Sequence, residues 1–255
     1  AAGVGEREEE SVAERAALVT GASSGIGLAI SHALAEDGYA VTMSARRPDK
    51  LEAAAATLQS EGFDITVVPA NVASEDELKM LVAGHRTRYG RLDVLVNNAG
   101  VGIGSPIDEL ETKKIDMQLD VNLRSYVIAM REAMPMLRAA GAEHGKALIV
   151  NTASIAGKGG QGWLAVYSAT KAGVIGLSQA AQMEVGRAGI QVTALCPAFV
   201  DTPMTEWVQG QVKPEEMIQP QDLAETVRLL LRTSRYCLIP EVVFTRPGDP
   251  SAFAT

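Results

Sequence analysis

TGASSGIGLAI, residues Thr20 to Ile30, follows a short apolar run, AALVT at 16–20, and opens a segment with helical spacing. Its glycines, Gly21, Gly25 and Gly27, stand where a strand must turn sharply into a helix. Such a turn lets backbone amides and the helix N-terminus approach a pyrophosphate, which the helix dipole favours. A tight strand-to-helix turn without a ligand is the other reading. No Lys-Ser/Thr pair follows the glycines, so the phosphate loop of nucleotide hydrolases does not fit, whereas a dinucleotide does.

Outward from this turn the same pattern repeats: a short apolar run, a turn, then a longer helically spaced segment. A parallel sheet built from βαβ units reads this way. Strands are predicted at 16–20, 40–44, 64–69, 92–96, 146–151, 190–195 and 239–244. Helices are predicted near 25–37, 48–60, 74–89, 112–140, 164–187 and 221–233. The fold class is therefore α/β, a doubly wound seven-stranded parallel sheet with helices on both faces, in one domain over 15–255. The irregular stretch 197–220, with Pro197, Pro203, Pro214 and Pro220, is too short to be a second domain.

Composition narrows the function. The chain of 255 residues is 47% hydrophobic and 21% charged, enough for a sizeable core. No apolar run reaches the roughly eighteen residues a membrane span needs, and AAGVGEREEESVAER lacks the order of a signal peptide, which points to a soluble, cytoplasmic protein. A net charge of −8 disfavours nucleic acid as a partner. Two cysteines, Cys196 and Cys237, and three scattered histidines imply neither a disulfide framework nor a metal site. Residues 1–14 read as a disordered acidic leader, with a docking tail as the alternative.

Ligands of such sheets sit beyond the carboxyl ends of the strands. The second strand ends in SARRPDK, about twenty residues past the glycines, where a carboxylate would accept hydrogen bonds from the ribose of NAD. Ala45, Arg46 and Arg47 stand there instead. A guanidinium cannot accept those bonds but pairs with a 2′-phosphate, so the site reads as built for NADP. The fourth strand ends in NNAG, Asn97 to Gly100; Ala99 and Gly100 leave room for a ribose, and Asn97 suits a structural role where strands splay. The fifth ends in NTASIAG, with Ser154 thirteen positions before Tyr167. In VYSATKAGVIG, 166–176, Tyr167 and Lys171 share a helix face.

Taken together, TGASSGIG, NNAG, Asn122 in LDVNL, Ser154 and YSATK resemble the short-chain dehydrogenases/reductases, from Ala16 to about Pro247. The resemblance implies a single-domain Rossmann fold and reversible hydride transfer between NADP(H) and a carbonyl or secondary alcohol. It implies Tyr167 as general acid/base, and Lys171 binding the nicotinamide ribose and lowering the tyrosine's pKa. Ser154 would orient the substrate oxygen, and Asn122 would hold a water in a proton relay. The cofactor would lie on Gly21, Ser23, Ser24, Gly25, Ile26 and Gly27, then Arg46, Arg47, Asn71 and Val72. Asn98, Ala99, Gly100, Tyr167, Lys171, Pro197, Val200 and Thr202 would complete its bed. A phenol with an ordinary pKa near 10 is a poor proton carrier at neutral pH, and a nearby ammonium favours its ionised form.

Three positions depart from the family pattern. Asn71 replaces an aspartate that meets the adenine, and an amide is a weaker acceptor than a carboxylate. Ala198 replaces a glycine after Pro197, which stiffens the loop. The tail after Cys237 lacks the glycine-rich signature of many 3-oxoacyl-thioester reductases, which weakens that alternative. A silent NADPH-binding sensor is another reading, and intact Ser154, Tyr167 and Lys171 speak against it. An epimerase or dehydratase is disfavoured by the glycine spacing. Substrate walls are predicted at Val101–Ser105, Ile155, Gln161–Leu164, Phe199 and Met204–Val208. Trp163 and Trp207 would cover an apolar or aromatic ketone or belong to core or interface. Small residues in 112–140 and 164–187 and the resemblance together imply a homotetramer, or a homodimer, built on those helices, unless they pack inside one subunit.

Overall fold

In the computed structural model, which describes residues 14–208, 210 and 212–248, the apolar runs form strands, the five central ones buried on both faces and the two edge strands partly exposed. They are β1 (Ala16–Thr20), β2 (Ala40–Ser44), β3 (Ile65–Val67), β4 (Val94–Asn97), β5 (Ala147–Thr152), β6 (Ile190–Pro197) and β7 (Glu241–Phe244). All pair in parallel, in the order β3-β2-β1-β4-β5-β6-β7. Continuous hydrophobic runs rather than alternation are what a doubly covered parallel sheet requires.

Alternate residues along each strand feed two cores. Ala17, Val19, Val94 and Val96 pack with α1 (Gly25–Glu36), α2 (Pro48–Ser60) and α7 (Pro220–Arg232). Leu18, Leu95 and Ile149 pack on the other face with α3 (Glu75–Tyr89), α5 (Ser125–His144) and the C-terminal half of α6 (Ala165–Val185). The two-residue period of a strand makes this division. The order reverses between β1 and β4, so a crevice opens past their carboxyl ends.

Boundaries shift where local chemistry overrides periodicity. β3 stops at Val67, two residues before Pro69, which has no amide to extend the ladder. The expected helix 112–140 is α4 (Thr112–Leu119), a π-helical turn at Asp120–Arg124, and α5, which runs on to His144 with Pro135 inside it. The stretch 197–220 is anchored rather than open. Val200 bridges Ile218, the Asp201 amide donates to Ile218 O at 2.8 Å, and two short 3₁₀ turns, Pro203–Val208 and Pro214–Glu216, lie between them. The predicted leader lies, but for Glu14, outside the described residues. No described helix is long and apolar enough to cross a membrane.

Candidate active site

The site begins at Thr20, the last residue of β1. Its hydroxyl accepts from the amides of Asn98 (3.0 Å) and Ala99 (3.2 Å), which ties the end of β1 to the end of β4. Asn98 Nδ2 donates back to Thr20 O and Gly21 O, and its Oδ1 accepts from Thr152 Oγ1 at 3.2 Å. The glycines are explained by what surrounds them. Gly21 and Gly25 hold φ of +67° and +55°, the left-handed region. A Cβ on Gly21 would stand 2.9 Å from Ala99 Cα, and one on Gly25 would stand 2.8 Å from Thr202 Cγ2. On Gly27 it would overlap the Gly21 carbonyl.

Ser154 follows β5, and Tyr167 and Lys171 lie on the first turns of α6. The Ser154 hydroxyl accepts from the Ala156 amide at 3.1 Å, donates to Pro197 O at 3.4 Å, and lies beside the Tyr167 phenol. Burial pushes the Tyr167 phenol above its ordinary range, which the neighbouring Ser154 hydroxyl partly opposes, so the lowering expected from Lys171 is not what sets it in this structure. Lys171 is buried and has no carboxylate partner among the described residues. Its Nζ donates to Thr152 O at 2.7 Å and lies 5.6 Å from the ring centroids of both Tyr126 and Tyr167. Burial lowers its pKa to about 8, so a substantial ammonium population remains at neutral pH. The Tyr126 hydroxyl donates to Ala99 O and Thr152 O, both at 3.2 Å, and so braces the carbonyl that holds Lys171.

Asn122 sits in the π-helical turn, fully buried. Its Oδ1 accepts from Val101 N and its Nδ2 donates to Val101 O, both at 2.8 Å, with Thr170 Oγ1 at 3.2 Å. The side chain clamps the loop after NNAG to α6. A π turn displaces one side chain from the regular helical rows and is common at functional positions. Asn97 donates to Asn151 Oδ1 at 2.9 Å, a strand-to-strand bond away from the cleft.

Ser154, Tyr167 and Lys171 line a cleft of about 820 Å³ running from Arg46 and Arg47 to Trp207. Four cations, Arg46, Arg47, Lys171 and Arg246, reach its wall, and among the described residues no carboxylate does. In a chain with net charge −8, that lining fits a polyanionic dinucleotide, as do glycines that leave no room for a Cβ. No group of three or more His, Cys, Asp or Glu among the described residues is placed to hold a metal.

A family model described as short chain dehydrogenase matches residues 15–212. The chain belongs to the short-chain dehydrogenase family. As a short-chain dehydrogenase it is an oxidoreductase. It is 37% identical over 227 residues to the 3-oxoacyl-[acyl-carrier-protein] reductase FabG of Staphylococcus aureus, covering 85% of this chain and 90% of that one. Among solved structures it superposes on a variant of actinorhodin polyketide ketoreductase with NADPH (TM-score 0.81, 34% identity, 90% and 95% of the two chains). It also superposes on the 3-ketoacyl-(acyl-carrier-protein) reductase of Brucella melitensis complexed with NADH (TM-score 0.83, 27% identity, 91% and 97%).

Of the residues singled out in the sequence of this short-chain dehydrogenase, Ser154, Tyr167, Lys171 and the cofactor set other than Gly27 line the one cleft. Gly27 and Asn122 stand behind it as packing and clamp. Asn71 Oδ1 accepts from Ala73 N at 3.3 Å. Of the expected walls, Val101, Gly102, Gly104, Ile155, Gln161–Leu164, Phe199, Met204, Thr205 and Trp207 reach the cleft, while Ile103, Ser105 and Glu206 do not line it. Sequence reasoning missed Thr20, Tyr126 and Thr152. Each acts through a contact between distant segments, and only the parallel pairing of β1, β4 and β5 announces it.

Proposed function

We propose that this protein catalyses reversible hydride transfer between NADP(H) and a ketone or secondary alcohol, with Tyr167 moving the proton. The observation that carries this reading is the convergence of Ser154, Tyr167 and Lys171 on a cationic cleft that no described carboxylate lines. When bound, NADPH supplies the hydride. Arg46 and Arg47 would pair with its 2′-phosphate, the glycine turn and the start of α1 would hold its pyrophosphate, and Lys171 would hold the nicotinamide ribose. Ser154 and Tyr167 together hold the substrate oxygen. In reduction the Tyr167 phenol donates its proton to that oxygen; in oxidation the phenolate removes it. The phenol's raised pKa keeps the proton on Tyr167 at neutral pH, which favours reduction there and makes oxidation faster as pH rises. Asn122 positions the Val101 loop rather than reaching the reacting atoms with its side chain.

The loop 197–220 forms the substrate wall. The exposed face of α6 supports a homotetramer or homodimer: Ala169, Ala172, Gly176 and Ala180 face outward, and Gly176 has nothing within 4 Å of a Cβ. Ala129, Ala133 and Ala181 pack inside the subunit instead. Free Cys196 and Cys237 accord with a reducing cytoplasm.

Tyr167→Phe tests the reading. The ring stays and the exchangeable proton goes, so turnover should fall at least about a hundredfold with NADPH affinity held within about threefold. Near-normal ketone reduction by the variant would show that the phenol only packs.

A further inference from the structure

Trp163 is the one described residue other than glycine with a positive φ, +69°. An indole in the left-handed region is a strained arrangement that persists only where its surroundings enforce it, and such strain gathers at ligand sites. Here the enforcement is visible. The Ser105 amide donates to Trp163 O at 2.9 Å, and the indole lies so close over Gly104 that a Cβ there would overlap the ring. Trp163 meets Trp207 at 5.6 Å between centroids with planes tilted by 59°, and Phe199 meets Trp207 at 6.2 Å edge-on. The chain has two tryptophans and four phenylalanines; both tryptophans and one phenylalanine stand on this wall. Each indole remains about half exposed, at 52% and 55%, although it faces a cleft.

Distance from the reacting groups sets what the wall touches. A Cβ on Gly102 would lie 3.9 Å from the Tyr167 ring, while Gly104 lies under Trp163. Two residues of chain span at most about 7 Å. A carbonyl oxygen on Tyr167 and Ser154 therefore leaves the substituents on the Gly102–Gly104 side of its carbon facing the indoles across the same cleft. Two rings tilted to one another form a corner that takes a third ring edge-to-face or offset, the geometries aromatic rings prefer. Nothing in the described lining offers a carboxylate for a basic substituent.

The geometry points to a substrate class: ketones carrying an aromatic ring on or next to the carbonyl carbon, selected by the Trp163–Trp207 corner. This rests on the reading of the cleft as a carbonyl-reducing site. It adds an energetic reason for the strain, since a tryptophan whose backbone relaxed would leave the corner open.

The test uses the full chain with NADP. Equilibrium dialysis measures binding of acetophenone and 2-acetonaphthone against their ring-saturated counterparts, cyclohexyl methyl ketone and 2-acetyldecalin, and NADPH consumption is measured with the same four. The aromatic members should bind about tenfold more tightly. Trp163→Gly suits the positive φ and keeps the backbone, and should reduce the preference to within about twofold; Trp163→Phe should retain most of it. Gly104→Ala, which displaces the indole without removing it, should behave like Trp163→Gly. Equal binding of aromatic and saturated ketones, no binding of any of them, or an unchanged preference in Trp163→Gly would overturn the inference. Aromatic-selective binding without NADPH consumption would leave the corner standing and overturn the carbonyl-reductase reading; consumption without selectivity would do the reverse.

Discussion

At Lys171 one residue sets function against stability. Its ammonium is buried with a carbonyl and two phenol rings for company, and burial holds its pKa near 8 against an ordinary value of 10.5. Below about pH 8 the folded protein therefore carries a charge it would hold more easily unfolded. Between about 8 and 10.5 the unfolded chain binds the extra proton, so stability gained from this site rises with pH across that window. Lys171→Met should accordingly be more stable than wild type at pH 7, by on the order of 3 kcal/mol, with the advantage shrinking as pH passes 8. Thr152 O keeps the Tyr126 hydroxyl as a donor, so the exchange orphans no acceptor. Cofactor affinity and turnover should both drop. Thermal melts from pH 7 to 10 check this, and a variant less stable than wild type at pH 7 would show that the Thr152 bond outweighs burial. Arg46 makes a separate claim. If its guanidinium meets a 2′-phosphate, wild type should prefer NADPH to NADH by about ten- to thirtyfold, one to two kcal/mol. Arg46→Ala should erase most of that. Titration with both cofactors decides it, and equal affinities in wild type would remove the case for NADP.

At the scale of elements, the distance between the Ser154 loop and α6 is governed by a glycine that the sequence pattern did not single out. A Cβ on Gly157 would stand 2.5 Å from the Lys171 carbonyl carbon and 2.7 Å from the Ala172 amide. Backbone meets backbone there, so neither side can yield by a rotamer change. Gly157→Ala should push the turn at Ile155–Gly157 off the helix and take the Ser154 hydroxyl with it. Because small misplacements of positioning groups are costly, kcat should fall roughly ten- to a hundredfold while NADPH affinity changes little. Steady-state kinetics with a cofactor titration separate the two, and an unchanged kcat would mean that the turn can shift without moving Ser154. The same logic explains Asn122. A polar side chain in a helical segment invites a catalytic reading, yet both ends of its amide are committed to Val101.

For the whole molecule, the open question is where the small residues of α5 and α6 go. On α5, Ala129, Ala133 and Ala140 fill the core while Ala139 and Ala142 are exposed; on α6, Ala169, Ala172, Gly176 and Ala180 form an exposed stripe ending near Met183, which is 81% exposed. If that stripe joins subunits, Gly176→Arg should break the assembly, because a long cation would enter a contact that has no space for it and desolvate there. Sedimentation velocity at micromolar concentration should show an oligomer for wild type and a smaller species for Gly176→Arg. A monomeric wild type would place the stripe in water.

Local chemistry was enough to read the order of strands and helices, the glycine turn and the residues at the strand ends. A two-residue or 3.6-residue period, a proline and a positive-φ glycine each act within a few positions of themselves. The same local rules placed Tyr167 and Lys171 on one helix face. They could not show that Asn122 is a clamp, that Thr152 and Tyr126 hold Lys171, that Thr20 binds β1 to β4, or that Ala129 and Ala133 of α5 turn inward while Ala169, Ala172 and Ala180 of α6 turn outward. They also could not show that Trp163 adopts a conformation its own chemistry disfavours. Each of these depends on segments roughly twenty to eighty residues apart meeting through the strand order, where packing and hydrogen bonds outweigh local preference.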